Sequence, residues 1–258
     1  MLIVISPAKT LDYATKINTA KATQPQFLDE AAELNQVLRN YSAQKIANLM
    51  DVSKGIAELN FARNQQWSVP FTSDNSRQAI FAFKGDVYMG LNAHDFAEDD
   101  LAFAQQHLRI LSGLYGALRP LDLMQPYRLE MSTRLKNPHG KNLYKFWDGK
   151  VTATMNNLLA AQKNKILINL ASEEYFAVLQ PKSLDAEVVT PVFKDYKNGK
   201  YKIISFFAKK ARGRMAAWII KNRITEKAGL SSFAEDGYSF SPESSQEDEL
   251  VFTRKIAD

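Results

Sequence analysis

Short apolar runs alternate with helical patterns along the first two thirds of the chain, and this alternation restricts the fold to the mixed α/β classes. The apolar runs at Leu2–Ile5, 79–83 and 165–170 predict strands. Helical spacing of apolar residues predicts helices at 25–38, 43–50, 52–67, 98–108, 142–162 and 173–179. The order favours a sheet with flanking helices.

The last third of the chain departs from this order. Asn198-Gly199 is a strong signal for a hairpin turn between two β-runs, 187–194 and 200–206. Beyond it we predict a helix at 207–227 and short strands at 238–240 and 250–253. No repeat, low-complexity tract or composition break divides the chain. We therefore expect one domain over residues 1–258, of mixed α/β (α+β) type with a mixed sheet.

Several classes of protein are disfavoured by composition. The chain has no Cys, which excludes disulfides, thiolate nucleophiles and zinc ribbons, and its three His are scattered, so we expect no metal and no cofactor. Neither GxxxxGK[ST] nor GxGxxG occurs. No apolar run approaches about 20 residues, and the apolar start is typical of a first strand, so we expect a cytoplasmic protein without membrane contacts. The oligomeric state cannot be predicted.

Positive charge is concentrated late in the sequence. The chain carries a formal charge of +5, but residues 190–227 hold eleven Lys and Arg against two acidic residues, whereas residues 228–258 hold seven acidic residues against two basic ones. Such clustering suits a phosphate-rich partner. A solvated basic face without a partner is the alternative.

The late helix arranges part of this charge around an apolar stripe. At 100° per residue the stripe comprises Ala208, Ala211, Met215, Trp218 and Ile219. Lys210, Arg214 and Lys221 lie on one flank, and Lys209, Arg212 and Arg223 lie on the other. We interpret the helix as the wall of an electropositive groove; the alternative is a surface helix whose long side chains cover apolar neighbours.

Two further groups of residues are candidates for a site. The apolar–Gly–apolar–Gly pattern of Gly113, Leu114, Tyr115 and Gly116 is typical of a helix-hairpin-helix turn, whose backbone N–H groups approach a phosphate; a helix C-cap with a tight turn is equally compatible. A separate group of polar residues follows predicted strands or turns and would line a pocket for a small anionic or nucleotide-like substrate. This group consists of Lys9, Lys84, Asp86, Arg128 and Tyr175. Alternation of 127–131 predicts a strand that places Arg128 and Glu130 on one face, where they could simply pair with each other.

Five segments resemble the YaaA peroxide-stress resistance protein family. They are residues 5–10 (ISPAKT), 82–88 (AFKGDVY), 111–131 (LSGLYG, LRPLD and YRLEM), 169–175 (NLASEEY) and 207–213 (FAKKARG). The resemblance implies a bacterial cytosolic protein of the hydrogen peroxide response that limits oxidative damage and free iron. It also implies DNA binding through a basic cleft and a helix-hairpin-helix element. By position, the cleft residues here would be Lys209, Lys210, Arg212 and Arg214, and the helix-hairpin-helix element would be Gly113–Gly116.

Two hypotheses result. The first is a non-enzymatic protein that binds duplex or branched DNA with little sequence preference, because phosphate contacts carry little base information. The second is an enzyme whose pocket contains Lys9, Lys84, Asp86, Arg128 and Tyr175, and it depends on those side chains converging on one concave site.

Overall fold

The strand β1 (Leu2–Ile5) lies at the centre of the main sheet, and its four apolar side chains are buried. The computed structural model describes residues 1–255. The other strands are β2 (Thr10–Leu11), β3 (Arg77–Gln78), β4 (Phe83–Lys84), β5 (Leu108–Ser112), β6 (Gly116–Leu118), β7 (Leu123–Met124), β8 (Ile166–Leu170), β9 (Glu187–Lys197), β10 (Lys200–Lys202), β11 (Ser239–Phe240) and β12 (Glu249–Arg254). The helices are α1 (Leu28–Arg39), α2 (Ala43–Met50), α3 (Lys54–Gln66), α4 (Ala79–Ala82), α5 (Asp86–Leu91), α6 (Glu98–His107), α7 (Leu143–Phe146), α8 (Lys150–Ala160), α9 (Glu173–Phe176) and α10 (Ser205–Lys221).

The main sheet is mixed. Its strand order is β11-β12-β9-β8-β1-β5-β6, with β10 paired to β9. The five central strands are parallel, whereas β6, β10 and β11 pair antiparallel to their neighbours. Two small antiparallel pairs, β2–β4 and β3–β7, lie outside it. The predicted α/β class with a mixed sheet and flanking helices is confirmed.

The helix α10 packs against α5 and against β1, β8 and β9. Its predicted apolar stripe is largely buried: Ala208, Ala211, Met215 and Ile219 lie in the core, and Trp218 is half-buried. This packing fixes the rotation of α10, so its two basic flanks face different surroundings.

Three predicted elements are corrected. Residues 79–83 form mainly the short helix α4, because a run buried on all sides does not distinguish a strand from a helix. Residues 127–131 are not a strand, although Arg128 and Glu130 do pair. The helix predicted at 142–162 is divided at Gly149, whose φ of +73° lies in the left-handed region.

The expected helix-hairpin-helix-like element is also corrected. The glycine turn 113–115 joins β5 to β6, which pair antiparallel from Ser112↔Gly116 to Ile110↔Leu118. A strand therefore stands where a helix was expected on each side of the turn. The apolar–Gly–apolar–Gly pattern does not determine the flanking elements, and here the antiparallel pairing of β5 with β6 makes the segment a β-hairpin.

None of the helices within residues 1–255 combines the length and apolar character required to cross a membrane.

Candidate functional site

The carboxyl ends of β1 and β8 form a crevice at the centre of the sheet. After β1, the next strand of the main sheet is β5, which lies on one side of β1. After β8, the next strand is β9, which lies on the opposite side. In parallel sheets, ligands bind outside the carboxyl ends of strands at the point where the connections diverge in this way. A pocket of about 530 Å³ opens here and has the size of a small-molecule site. We call it the switch-point pocket.

Five segments line the switch-point pocket: the loop after β1, the turn before α5, the segment before Met131, the loop after β8 and one flank of α10. The lining residues are Ser6, Pro7, Ala8, Lys9, Thr10, Lys84, Gly85, Asp86, Val87, Tyr88, Tyr127, Arg128, Leu129, Glu130, Leu170, Ser172, Glu174, Tyr175, Lys209 and Arg212. All five residues proposed for a small anionic substrate are therefore brought together. Two of the residues proposed for DNA contact, Lys209 and Arg212, join them.

Hydrogen bonds hold the loops that follow β1 and β8 to each other. The Ser172 backbone N–H donates to Ser6 Oγ at 2.9 Å, and the two serine hydroxyls are 3.3 Å apart. The Tyr88 hydroxyl donates to the Ser6 carbonyl oxygen at 3.1 Å. The base of the pocket is therefore pre-formed, which limits the entropy lost when a ligand binds.

Glu130 connects two of the pocket's cations. One of its carboxylate oxygens, Oε1, lies 2.8 Å from Lys9 Nζ and 3.0 Å from an Arg128 nitrogen. Arg128 Nε is buried and donates no hydrogen bond within residues 1–255. A buried donor of this kind favours a ligand that supplies an oxygen acceptor.

Lys84 is positioned at the rim by Asp12. Its Nζ is 3.6 Å from the Asp12 carboxylate. Hydrogen bonds from the Thr15 backbone and hydroxyl and from the Ala14 backbone lower the pKa of Asp12, so this carboxylate stays ionised. The Lys84 ammonium is 63% exposed and remains accessible to a ligand.

Asp86 and Tyr175 contribute two different acidic groups to the pocket wall. The Asp86 carboxylate is half-buried and has neither a hydrogen bond nor an ion pair with any residue that the structure describes. The Tyr175 phenol is buried, and this burial raises its pKa, so it stays protonated. Asp86 therefore accepts hydrogen bonds, and Tyr175 keeps a hydroxyl proton.

Lys209 and Arg212 face the pocket from α10, and neither forms an ion pair within the described part of the chain. Burial lowers the pKa of the Arg212 guanidinium, and the nearby Glu173 charge opposes that shift. An arginine starts from so high a pKa that it remains charged at neutral pH. These are two cations available to an incoming anion.

Lys210 and Arg214 lie on the other flank of α10. Lys210 Nζ and Arg214 Nε each lie 3.7 Å from Oδ2 of Asp236, in the acidic region that ends the chain. Of the four α10 residues proposed for DNA contact, two therefore belong to the switch-point pocket and two pair with Asp236.

Gly113–Gly116 are not at the surface. Leu114 and Tyr115 are fully buried. The Trp147 indole N–H donates to the Gly113 carbonyl at 3.0 Å, and the ring of Trp147 covers Gly116. The backbone N–H groups of this turn therefore have no access to a phosphate in the folded protein.

The charge of the pocket favours anions. Five of its lining residues are cationic and three are carboxylates. Within residues 1–255 no group of three His, Cys, Asp or Glu is arranged to hold a metal ion. The arrangement can bind an anion at the cations and use Asp86 for a hydroxyl or amino group.

Sequence reasoning did not identify Ser6, Ser172 and Tyr88 as site residues. The two serines follow apolar runs, and both lie in segments that resemble the peroxide-stress family. This resemblance is the sequence signal that could have identified them as site residues. Tyr88 lies in the same helix as Asp86, but only the tertiary structure brings its hydroxyl to Ser6.

The family model described as peroxide stress protein YaaA matches residues 1–244. The chain belongs to this family. All the segments that line the switch-point pocket lie within the matched range, and so does the whole of α10. The pocket is therefore part of the portion of the chain that defines a YaaA-family peroxide stress protein.

Proposed function

We propose that this YaaA-family protein binds a phosphate-bearing, nucleotide-like ligand in the switch-point pocket, and that this binding underlies its role in peroxide stress. One observation carries the proposal: seven polar residues from five segments, chosen from sequence for anion binding, line a single pocket at the carboxyl end of the sheet. Such a crevice is where parallel sheets bind ligands.

The roles follow from the contacts. Lys209 and Arg212 receive the phosphate, because neither forms an ion pair with an acidic residue within residues 1–255. The free Nε of Arg128 adds a directed donor. Asp86 accepts hydrogen bonds from hydroxyl or amino groups of the rest of the ligand. A reaction at this site would use Asp86, the one pocket carboxylate without a protein partner in residues 1–255, as its base.

Calorimetric titration with inorganic phosphate, a nucleoside monophosphate and the uncharged nucleoside tests the proposal. We expect both phosphate-bearing ligands to bind and the nucleoside to bind far more weakly. The double variant Lys209→Gln/Arg212→Gln should lose at least about tenfold in affinity, since each hydrogen bond to a charged group contributes about 1.5–3 kcal/mol.

The matched control is Lys210→Gln/Arg214→Gln, which removes the same charges from the opposite flank of the same helix. Its affinity should stay within about twofold of the wild type. Equal losses in the two double variants would contradict a specific pocket and would indicate a general charge effect.

A second candidate function is binding of duplex or branched DNA, which would limit oxidative damage by covering the DNA. The favouring observation is the asymmetry of α10: the acidic C-terminal region neutralises Lys210 and Arg214 through Asp236, whereas Lys209 and Arg212 stay available. Any effect on free iron would be indirect in this account.

Binding of duplex and branched DNA over a range of salt concentrations tests the second candidate. The logarithm of the binding constant falls with the logarithm of salt by about 0.9 for each neutralised phosphate. Lys209→Gln/Arg212→Gln should therefore reduce that slope by roughly two, whereas Lys210→Gln/Arg214→Gln should leave it unchanged. The candidate fails if the wild type shows no salt-dependent binding to either DNA.

A further inference from the structure

The hairpin formed by β9 and β10, together with the start of α10, presents exposed aromatic rings. Ten large hydrophobic side chains are exposed within residues 1–255, and four of them fall in the eleven residues from 196 to 206. They are Tyr196, Tyr201, Ile203 and Phe206. We call this surface the hairpin patch. Three of its four members are aromatic, so the exposed area consists largely of ring faces and edges.

The two tyrosines are held together by the hairpin. Asn198 and Gly199 both have positive φ, as a tight two-residue turn requires, and Tyr196 pairs directly with Tyr201 across the strands. Their ring centroids are 5.2 Å apart at an angle of 67°. The rings are therefore pre-positioned, although neither is buried.

Lysines alternate with the rings along this segment of the chain, and its one acidic side chain is not exposed. Residues 194–206 contain four lysines and one acid, Asp195. The Asp195 carboxylate is fully buried, where it accepts hydrogen bonds from Tyr238 and Arg254. The exposed part of the segment is consequently cationic as well as aromatic.

The hairpin patch stands at the same end of the sheet as the switch-point pocket. β9 pairs with β8 only from Glu187 to Val189 and with β12 only as far as Asp195, so the tip projects past the carboxyl edge of the sheet. Phe206 lies one helical turn before Lys209 on α10, and residues three apart are neighbours on a helix surface. The patch therefore continues toward the pocket cations.

We propose that the hairpin patch binds single-stranded DNA, with Tyr201 and Phe206 stacking on unpaired bases and the hairpin lysines contacting phosphates. Exposed rings interleaved with lysines are the two components that sequence-tolerant binding of single strands requires. The proposal extends the second candidate function, DNA binding, but it concerns a different surface with its own residues. Ring stacking makes it specific for unpaired bases, which a duplex does not present.

The test measures fluorescence anisotropy of a labelled oligothymidylate and of a duplex of the same length. Tyr201→Leu keeps an apolar cross-strand partner for Tyr196 and removes the ring, so the hairpin is retained. It should weaken single-strand binding by about tenfold, a typical loss for one base-stacking ring. Binding of the duplex should be unchanged. Tyr201→Trp should bind the single strand as well as the wild type or better.

Ile203→Ala is the matched control, since Ile203 is the most exposed member of the patch and cannot stack on a base. It should leave single-strand binding within about twofold of the wild type. If Ile203→Ala and Tyr201→Leu lose binding equally, or if Tyr201→Leu binds normally, base stacking is excluded and the proposal is overturned.

Two competing occupants have their own outcomes. Sedimentation with phosphatidylserine vesicles that depends on Tyr201 would assign the patch to a membrane surface and overturn the proposal. Dimerisation that is lost in Ile203→Ala would assign it to a second copy of the chain, with the same consequence. Failure of this proposal is separable from failure of duplex binding, because the latter is measured with Lys209→Gln/Arg212→Gln, which leaves the patch intact.

Discussion

At the scale of single residues, Asp86 should determine which anions the switch-point pocket prefers. Its carboxylate lacks a protein partner in residues 1–255 and lies among cations. Inorganic phosphate gains nothing from a neighbouring carboxylate, whereas a nucleotide has hydroxyl and amino groups that can donate to it.

We expect Asp86→Ala to lower the ratio of nucleoside monophosphate affinity to inorganic phosphate affinity by about tenfold. Loss of the negative charge strengthens the binding of both ligands by the same factor. The ratio of the two affinities therefore reports only the lost hydrogen bond. Asp99→Ala, which removes an exposed acid from α6, should leave the ratio unchanged. A ratio equal to that of the wild type in Asp86→Ala would show that Asp86 does not contact the ligand.

Sequence could identify Lys84 and Asp86 because charged residues around a glycine after an apolar run are typical of a strand end facing a cleft. It could not assign the α10 lysines individually. Helical periodicity correctly separated Lys209 from Lys210, but only the packing of α10 on α5 and the sheet shows which flank meets the pocket. Gly113 was assigned to a site although it is buried, because a glycine pattern does not show whether another residue, here Trp147, covers the turn.

At the scale of elements, the crossing of α5 and α10 places Asp86 opposite Lys209 and Arg212. The backbones meet at Gly90 and Gly213. A Cβ at Gly213 would lie 1.7 Å from the Val87 carbonyl oxygen, and one at Gly90 would lie 2.0 Å from the Lys210 carbonyl oxygen. Backbone atoms on both sides cannot move aside without separating the helices.

Gly213→Ala should therefore destabilise the protein by about 1–3 kcal/mol or more, as overpacking does, in spite of the better helix propensity of alanine. Gly55→Ala in α3 is the control, because a Cβ there meets no atom within 4 Å. That variant should be unchanged or more stable by about 0.5–1 kcal/mol. Urea denaturation measures both. A stabilised Gly213→Ala variant would contradict the close helix crossing.

Elements with local signals were predictable. The Asn198-Gly199 turn specified the hairpin because both residues adopt positive φ readily, and β1 and β8 were apparent as apolar runs. The strand predicted at residues 79–83 was wrong, because an apolar run buried on all sides is compatible with either a strand or a helix. The hairpin of β5 and β6 lies against Leu129 at Gly113 and against Trp147 at Gly116, and no local pattern encodes these contacts.

At the scale of the whole molecule, the α/β class followed from the alternation of elements, but the strand order did not. β1 pairs with β5 and β8, more than one hundred residues away in each case, and this central position creates the crevice. The loop after β1 and the loop after β8 therefore meet only because of the tertiary fold, which local sequence patterns do not reveal. Sequence grouped Lys9, Lys84, Asp86, Arg128 and Tyr175 as one pocket, but it assigned Lys209 and Arg212 to a separate basic cleft, and only the tertiary structure joins the two groups.

The distribution of charge over the molecule leads to a last prediction. The acidic C-terminal region contacts the basic helix through Asp236, on the flank away from the switch-point pocket. Because its pairs are partly exposed and 3.7 Å long, Asp236→Asn should cost less than about 1 kcal/mol of stability.

Asp236→Asn should also leave nucleotide affinity and the salt dependence of duplex DNA binding unchanged, although it raises the net positive charge. Contacts limited to Lys209, Arg212 and the rest of the pocket are insensitive to a charge on the far flank, since charges beyond about 8 Å are screened at physiological salt. Titration of the variant beside Lys209→Gln/Arg212→Gln checks this. Tighter DNA binding with a steeper salt slope in Asp236→Asn would instead mean that DNA covers both flanks of α10 and that Asp236 competes with it for Lys210 and Arg214.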